Sequence, residues 1–130
     1  MRPPISVSDG TKIQIHRVTT AIDCGIVVNP NSVRAQVEGC VGFALSADMY
    51  GEISVKNGAV EQSNFHDYRP IRMQEMPPVE VMILPSREAP GGAGEEAISP
   101  FAPALANALY AATGRRIRDL PLSRSGFTLA

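Results

Sequence analysis

The chain has 130 residues with a formal net charge of −1, and 44% of its residues are apolar. That length suits one domain with its own hydrophobic core, and that apolar content is too high for a disordered chain. The near-neutral charge argues against a nucleic-acid partner, and no apolar run is long enough to cross a bilayer, so no membrane partner is expected. The two cysteines, Cys24 and Cys40, form neither a disulfide framework nor a C-x-x-C motif, and no metal ligands are predicted.

The first part of the chain predicts a strand followed by a long helix. Residues 1–10 contain two prolines and a glycine and are expected to be a loose lead-in. From Thr11 to Ile22, apolar and polar residues alternate as in a strand, with a slip near residue 17 that indicates a bulge or a change of burial. A turn at residues 29–31 can start a helix, which is expected to run from Asn31 or Ser32 to Tyr50. Its apolar face recurs every four residues, at Val33, Val37, Val41 and Leu45.

A second stripe on this helix consists of small residues, namely Ala35, Gly39, Gly42 and Ser46. Each of the two glycines costs roughly 1 kcal/mol relative to alanine in a helix interior. Two explanations are open: tight packing on a sheet, or close approach by another backbone or a bulky ligand. Gln36, in the same helix, offers a neutral amide that both donates and accepts hydrogen bonds.

The second part of the chain predicts a hairpin around Asn57-Gly58, a strand over residues 79–84 and a last helix. That helix is expected to start at Pro100 or Pro103 and to end at Thr113, followed by Gly114 at its C-terminus. Its apolar stripe consists of Phe101, Leu105, Leu109 and Ala112. Residues 119–130 are expected to be a loose tail. The element order predicts an α+β fold, a two-layer sandwich with both helices on one face of a small mixed sheet.

A glycine-rich loop precedes the last helix, with Gly91, Gly92 and Gly94 followed by Glu95. Glycine allows the backbone to approach a ligand closely, and a carboxylate at the end of such a loop can be held in a pocket. The alternative is an ordinary connection with an exposed glutamate. A phosphate loop is excluded, because no Lys-Ser/Thr follows the glycines and Glu95 would repel an anion.

Several short motifs occur in an order that resembles one enzyme family. They cover most of the chain, from about Arg17 to Leu122, and their ordered combination is specific although each is weak alone. The chain resembles the C-terminal part of the molybdopterin-binding large subunit of the xanthine dehydrogenase and aldehyde oxidase family, and most of all its isoquinoline 1-oxidoreductase branch. The motifs are Asp23-Cys24-Gly25, Asn29-Pro30, Gln36-Val37-Glu38-Gly39, Asn64-Phe65-His66-Asp67-Tyr68, Gly92-Ala93-Gly94-Glu95, Ala102-Pro103-Ala104 and residues 108–114.

The resemblance implies a molybdenum hydroxylase that oxidises an N-heterocycle or an aldehyde with oxygen derived from water. It implies that Glu95 is the base that accepts the proton of the water-derived hydroxyl, and that Gln36 lies against the pterin. Cofactor contacts are expected from Gln36 and from the loop residues Gly92, Ala93 and Gly94. The family often has proline after the catalytic glutamate, whereas this chain has Glu96, which would raise the pKa of Glu95 if both carboxylates pointed inward.

The family's subunit is far longer, so the resemblance implies that residues 1–130 form a single C-terminal domain of it. The expected partners are the remainder of the large subunit and an iron–sulfur subunit or other electron acceptor, since two cysteines cannot hold a cluster. Alone, the chain is expected to carry no molybdopterin and to self-associate through surfaces that absent neighbours would cover. The alternative function is a non-catalytic domain that binds at most a protein partner. No signal peptide is apparent, and the compartment is open between cytoplasm and periplasm.

Overall fold

The computed structural model describes all 130 residues and confirms the α+β class, with two helices and small mixed sheets. Neither helix combines the length and the hydropathy needed to cross a membrane. The elements are β1 (Ile5–Ser8), β2 (Lys12–Ile15), β3 (Val18–Ile22), α1 (Pro30–Tyr50), β4 (Val55–Lys56), β5 (Ala59–Val60), β6 (Val79–Ile83), α2 (Phe101–Thr113) and β7 (Thr128–Leu129).

The strands form three small sheets instead of one continuous sheet. In the first, β2 lies between β1, which is antiparallel to it, and β7, which is parallel to it. The second is a parallel pair in which Val18 of β3 lies opposite Val79 of β6. The third is the predicted hairpin of β4 and β5, whose turn residues Asn57 and Gly58 both have positive φ, as a two-residue type I′ turn requires.

Both predicted helices are present and bury the expected faces. Asn29 caps α1, because its side-chain oxygen accepts hydrogen bonds from the backbone N–H groups of Asn31 and Ser32. Gly114 ends α2 with a φ of +71°, a left-handed conformation that glycine adopts without strain. The predicted core positions on the two helices are buried: Val37, Val41, Leu45, Leu105 and Leu109. Ala112, expected at the end of the α2 stripe, is exposed.

The structure differs from the predicted loose ends of the chain. Residues 5–8 form β1, in which Ile5 and Val7 pack against the main core cluster. At the other end, Leu122 and Phe127 are fully buried in that cluster, and β7 pairs with β2. Both ends are therefore part of the fold, because their apolar side chains fill space that the helices and β2 leave open.

One carboxyl group lies inside the core. Asp48, in the last turn of α1, is 6% exposed, and its Oδ2 atom has no hydrogen-bond partner. Burial disfavours the charged form and raises the pKa of Asp48 from 3.8 to about 6. The folded state therefore binds this proton more tightly than the unfolded state does.

The free energy of unfolding should fall with rising pH because of Asp48. Its contribution is fully present below pH 4, where both states are protonated, and is lost as the pH rises through 6. The expected loss is about 2 kcal/mol, since one pKa unit corresponds to about 1.4 kcal/mol and partial solvent access reduces the full value. Urea unfolding of the unmodified chain and of Asp48→Asn between pH 4 and 7.5 measures the difference. Parallel curves for the two proteins would contradict the prediction.

Candidate functional site

A cavity of about 580 Å³ lies between α1 and the glycine-rich loop. The α1 side contributes one polar side chain, Gln36, and an exposed aromatic ring, Phe43. The loop side contributes Gly94 and Glu95 from the predicted catalytic motif. The remaining lining residues are small or apolar, namely Ala35, Gly39, Cys40 and Ile98. The fold therefore brings together Gln36 and Glu95, which lie far apart in the sequence.

The small-residue stripe of α1 divides into two parts with different surroundings. A Cβ atom added at Gly39 would meet no atom within 4 Å, because this position faces the open cavity. A Cβ atom at Gly42 would lie 3.4 Å from the sulfur of Met76. An added Cβ atom at Gly42 would thus only touch the Met76 side chain at an ordinary contact distance, whereas the absence of a side chain at Gly39 leaves room beside α1 in the cavity.

The Asp23-Cys24-Gly25 motif holds the start of the glycine-rich loop. Gly25 has a φ of +73°, and a Cβ atom there would overlap the carbonyl oxygen of Ala89. Only glycine fits so close to that backbone. The Gly91 N–H donates to the Cys24 carbonyl over 2.8 Å, and the Ile26 N–H donates to the Glu88 carbonyl over 3.0 Å. The motif thus acts as a backbone brace for the loop.

The centre of the loop faces α1 directly. The Cys40 thiol donates a hydrogen bond to the Gly94 carbonyl, with 2.9 Å between Sγ and oxygen. A Cβ atom at Gly94 would lie 4.0 Å from the Gln36 side-chain oxygen. Gly94 and Gln36 are therefore close neighbours across the cavity.

The two adjacent glutamates have different surroundings. Glu95 is exposed and lines the cavity. The Glu96 carboxylate accepts a hydrogen bond of 3.0 Å from the Glu95 backbone N–H and occupies the space beside Gly92, where an added Cβ atom would overlap Glu96 Oε1. Glu96 does not line the cavity, so the two carboxylates do not both point inward.

Among the predicted cofactor contacts, Gln36 and Gly94 line this cavity, whereas Gly92 and Ala93 do not. The contact of Cys40 with the loop was not predicted, since a lone cysteine is by default a small buried hydrophobe. The available signal was its spacing, because Cys40 follows Gln36 by four residues and therefore shares its helix face. Phe43 and Ile98 were also missed as lining residues.

The Asn64–Tyr68 motif forms a separate loop on the surface. The backbone N–H groups of Asn64 and Ser63 donate to the Asp67 carboxylate and lower its pKa to about 2. Phe65 is 70% exposed. The loop is thus held by its own aspartate while it presents an aromatic ring to solvent.

Comparison with known proteins identifies the domain type. The family model described as "Molybdopterin cofactor-binding domain" matches residues 8–77. The chain is 34% identical over 110 residues to the beta subunit of isoquinoline 1-oxidoreductase from Brevundimonas diminuta, covering 85% of this chain and 14% of the relative. It is 36% identical over 113 residues to a nicotinate dehydrogenase subunit of Pseudomonas putida, covering 86% of this chain and 10% of the relative.

The fold is also that of a solved molybdenum enzyme. The crystal structure of a Cu,Mo-CO dehydrogenase in its carbon monoxide reduced state superposes with a TM-score of 0.69 at 25% identity, covering 81% of this chain and 14% of that one. This chain thus spans only a small part of the length of the proteins it matches. The predicted resemblance is confirmed, and the chain belongs to the molybdopterin cofactor-binding domain family.

Proposed function

We propose that this chain supplies the catalytic glutamate loop and one wall of the molybdopterin pocket in a molybdenum-dependent hydroxylase. The substrate is an N-heterocycle or an aldehyde, and the added oxygen comes from water. The observation that supports this function is the shared cavity, which Gln36 of α1 and Glu95 of the loop both line. Family membership makes molybdopterin the cofactor to test in this cavity.

The cavity suits the neutral heterocyclic part of such a cofactor. The Gln36 amide can both donate to and accept from the edge of a ring, while Ala35 and Gly39 leave room for a flat group to approach α1. No lysine or arginine lines the cavity, and Glu95 is an acid. A phosphate group would therefore need to be held by residues outside this cavity.

Glu95 is the group that handles the proton in this proposal. When bound, the cofactor supplies the redox chemistry and lowers the pKa of a coordinated water. Against such an acidified group a carboxylate is a sufficient base. The Glu95 side chain is free to accept a proton, because Glu96 bonds the Glu95 backbone and no side-chain partner occupies its carboxylate. Gln36 orients the ring system relative to this carboxylate.

The remainder of a large subunit and an iron–sulfur subunit or other electron acceptor complete the enzyme. Large apolar side chains that are more than half exposed support such partners, since burial against protein stabilises them. They include Val28, Phe43, Phe65 and Met73. The chain alone self-associates through the same surfaces. In this proposal residues 1–130 form a single C-terminal domain.

A second candidate function is a non-catalytic domain that binds at most a protein partner. The observation in its favour is that the cavity has walls only on the α1 and loop sides, and its lining side chains include just two polar ones, Gln36 and Glu95, besides the Cys40 thiol. Ligand pockets usually bury most of their ligand. A partial pocket of this kind is what is expected of a domain that keeps the family's fold but does not catalyse the reaction.

An experiment with a hybrid enzyme distinguishes between the two candidate functions. In it, this chain replaces the matching segment of the beta subunit of isoquinoline 1-oxidoreductase, and the rest of that enzyme is coexpressed. We expect molybdenum at the level of the unmodified relative, together with dye reduction by an N-heterocycle or an aldehyde. The isolated chain should contain no molybdenum and reduce no dye, because it supplies one wall of the pocket.

Two outcomes would count against the proposed function. A folded hybrid without molybdenum favours the non-catalytic domain. Stoichiometric molybdenum with turnover in the isolated chain would overturn the view that it is an incomplete part. Metal analysis and the dye assay, run on the same preparations, distinguish these results.

A further inference from the structure

We infer that Cys40 is a positioning residue. Its contact with the loop fixes the position of the Glu95 backbone at the cavity and the distance between Glu95 and Gln36. The inference rests on the proposed function for the role of Glu95, but the contacts that carry it belong to this chain alone. Cys40 lines the same cavity, and its thiol bonds the backbone carbonyl of Gly94 in the loop. Its effect on the reaction therefore passes through the loop.

The middle of the glycine-rich loop has one anchor outside itself. The Asp23-Cys24-Gly25 brace ends at Gly91, whose N–H bonds the Cys24 carbonyl. Across Gly92–Gly94, the hydrogen bond from Cys40 to the Gly94 carbonyl is the sole hydrogen bond to another element. Glycine backbone has the greatest conformational freedom of any residue. The order of this stretch thus depends on its contact with α1.

Glu95 lies between two points that are both fixed by the Cys40 region. On one side, the carbonyl of the preceding Gly94 accepts from the thiol at 2.9 Å. On the other side, Ala97 is buried in a small cluster with Val37 and Cys40. The backbone of Glu95 is therefore held at both flanks by one turn of α1.

The same turn carries the other functional side chain. Gln36 and Cys40 are four residues apart on a regular helix, so they share one face and move together. A contact that ties Gly94 to Cys40 consequently also sets the distance between the loop and Gln36. A thiol is a weak donor but a neutral one, and it can bond the carbonyl without adding a charge beside the Glu95 carboxylate.

Cys24 provides a matched control within the chain. Both cysteines are buried, with 3% exposure for Cys40 and 7% for Cys24. The Cys24 thiol makes no hydrogen bond, and this residue acts on the loop through its backbone carbonyl. Cys24→Ala therefore removes a buried thiol without removing a thiol contact to the loop.

Nuclear magnetic resonance of the labelled 130-residue chain tests the inference. In Cys40→Ala, the amide order parameters of Gly94 and Glu95 should fall from about 0.85, typical of rigid backbone, to below about 0.6. The carbonyl carbon of Gly94 should shift upfield as its hydrogen bond is lost. Cys40→Ser, which keeps a donor, should restore both signals, and Cys24→Ala should leave both unchanged.

In the hybrid enzyme, Cys40→Ala should lower kcat at least about tenfold, as expected for a misplaced catalytic group, with molybdenum content unchanged.

A folded Cys40→Ala chain with unchanged order parameters and an unchanged Gly94 carbonyl would overturn the inference. If Cys40→Ala does not fold, Cys40→Ser decides: an ordered loop with a hydrogen-bonded Gly94 carbonyl supports the role, and a mobile loop overturns it. Retained turnover in Glu95→Gln would instead overturn the proposed function and leave these loop measurements standing.

Discussion

Substitution of Glu95 by glutamine is expected to lower turnover of the hybrid enzyme by about 10²–10⁴-fold, the range that general base catalysis contributes. The amide matches the carboxylate in size but cannot accept a proton at neutral pH. The position is exposed and its side chain fills no core space. The fold and the molybdenum content should therefore remain those of the unmodified hybrid, and the loss should appear in kcat.

Glu96→Gln is the control for this substitution. It changes a neighbouring carboxylate that bonds the Glu95 backbone and lies outside the cavity. We expect a loss of turnover below about tenfold, because the amide oxygen can still accept the same hydrogen bond. Dye reduction and metal analysis of the three proteins measure both effects. Near-normal turnover in Glu95→Gln at full molybdenum content would show that another group takes the proton.

The parts of the site that could be predicted from sequence depend on local backbone chemistry. Asn29 capped the expected helix, and Asn57-Gly58 formed the expected hairpin turn. Gln36 and Gly94 were assigned through motif order, and the structure places both on one cavity. Cys40 could not be assigned in this way, because its importance depends on a contact with Gly94 that only the packing of the loop on α1 creates.

The chain termini could not be predicted for a different reason. Ile5 and Val7 alternate with serines as in a strand, but the two prolines before them favoured a loop interpretation. Near the other end, Leu122 and Phe127 stand five residues apart among polar residues and match neither a helix nor a strand period. Their burial follows from long-range packing against β2 and the helices, which single-sequence patterns do not report.

Substitution of Phe127 by alanine is expected to lower the free energy of unfolding by about 3–5 kcal/mol, as for other fully buried phenylalanines. The ring has no exposed surface and lies in the main core cluster with Leu122 and residues of both helices. The Arg115 guanidinium covers the ring, with 4.8 Å to its centroid. For a domain with a total stability of about 5–15 kcal/mol, this loss should lower the melting midpoint by about 10–20 °C.

Phe65→Ala is the matched control, because it removes the same ring from a position that is 70% exposed. An exposed substitution of this kind usually changes stability by less than about 0.5 kcal/mol. Both variants undergo the same change from phenylalanine to alanine. The difference between their urea and thermal unfolding midpoints therefore reports the effect of burial. Equal midpoints for the two variants would mean that residues 119–130 do not contribute to the core in solution. A large difference would establish that this terminal segment, although rich in polar residues and without a regular period, stabilises the helix that carries Gln36 and Cys40.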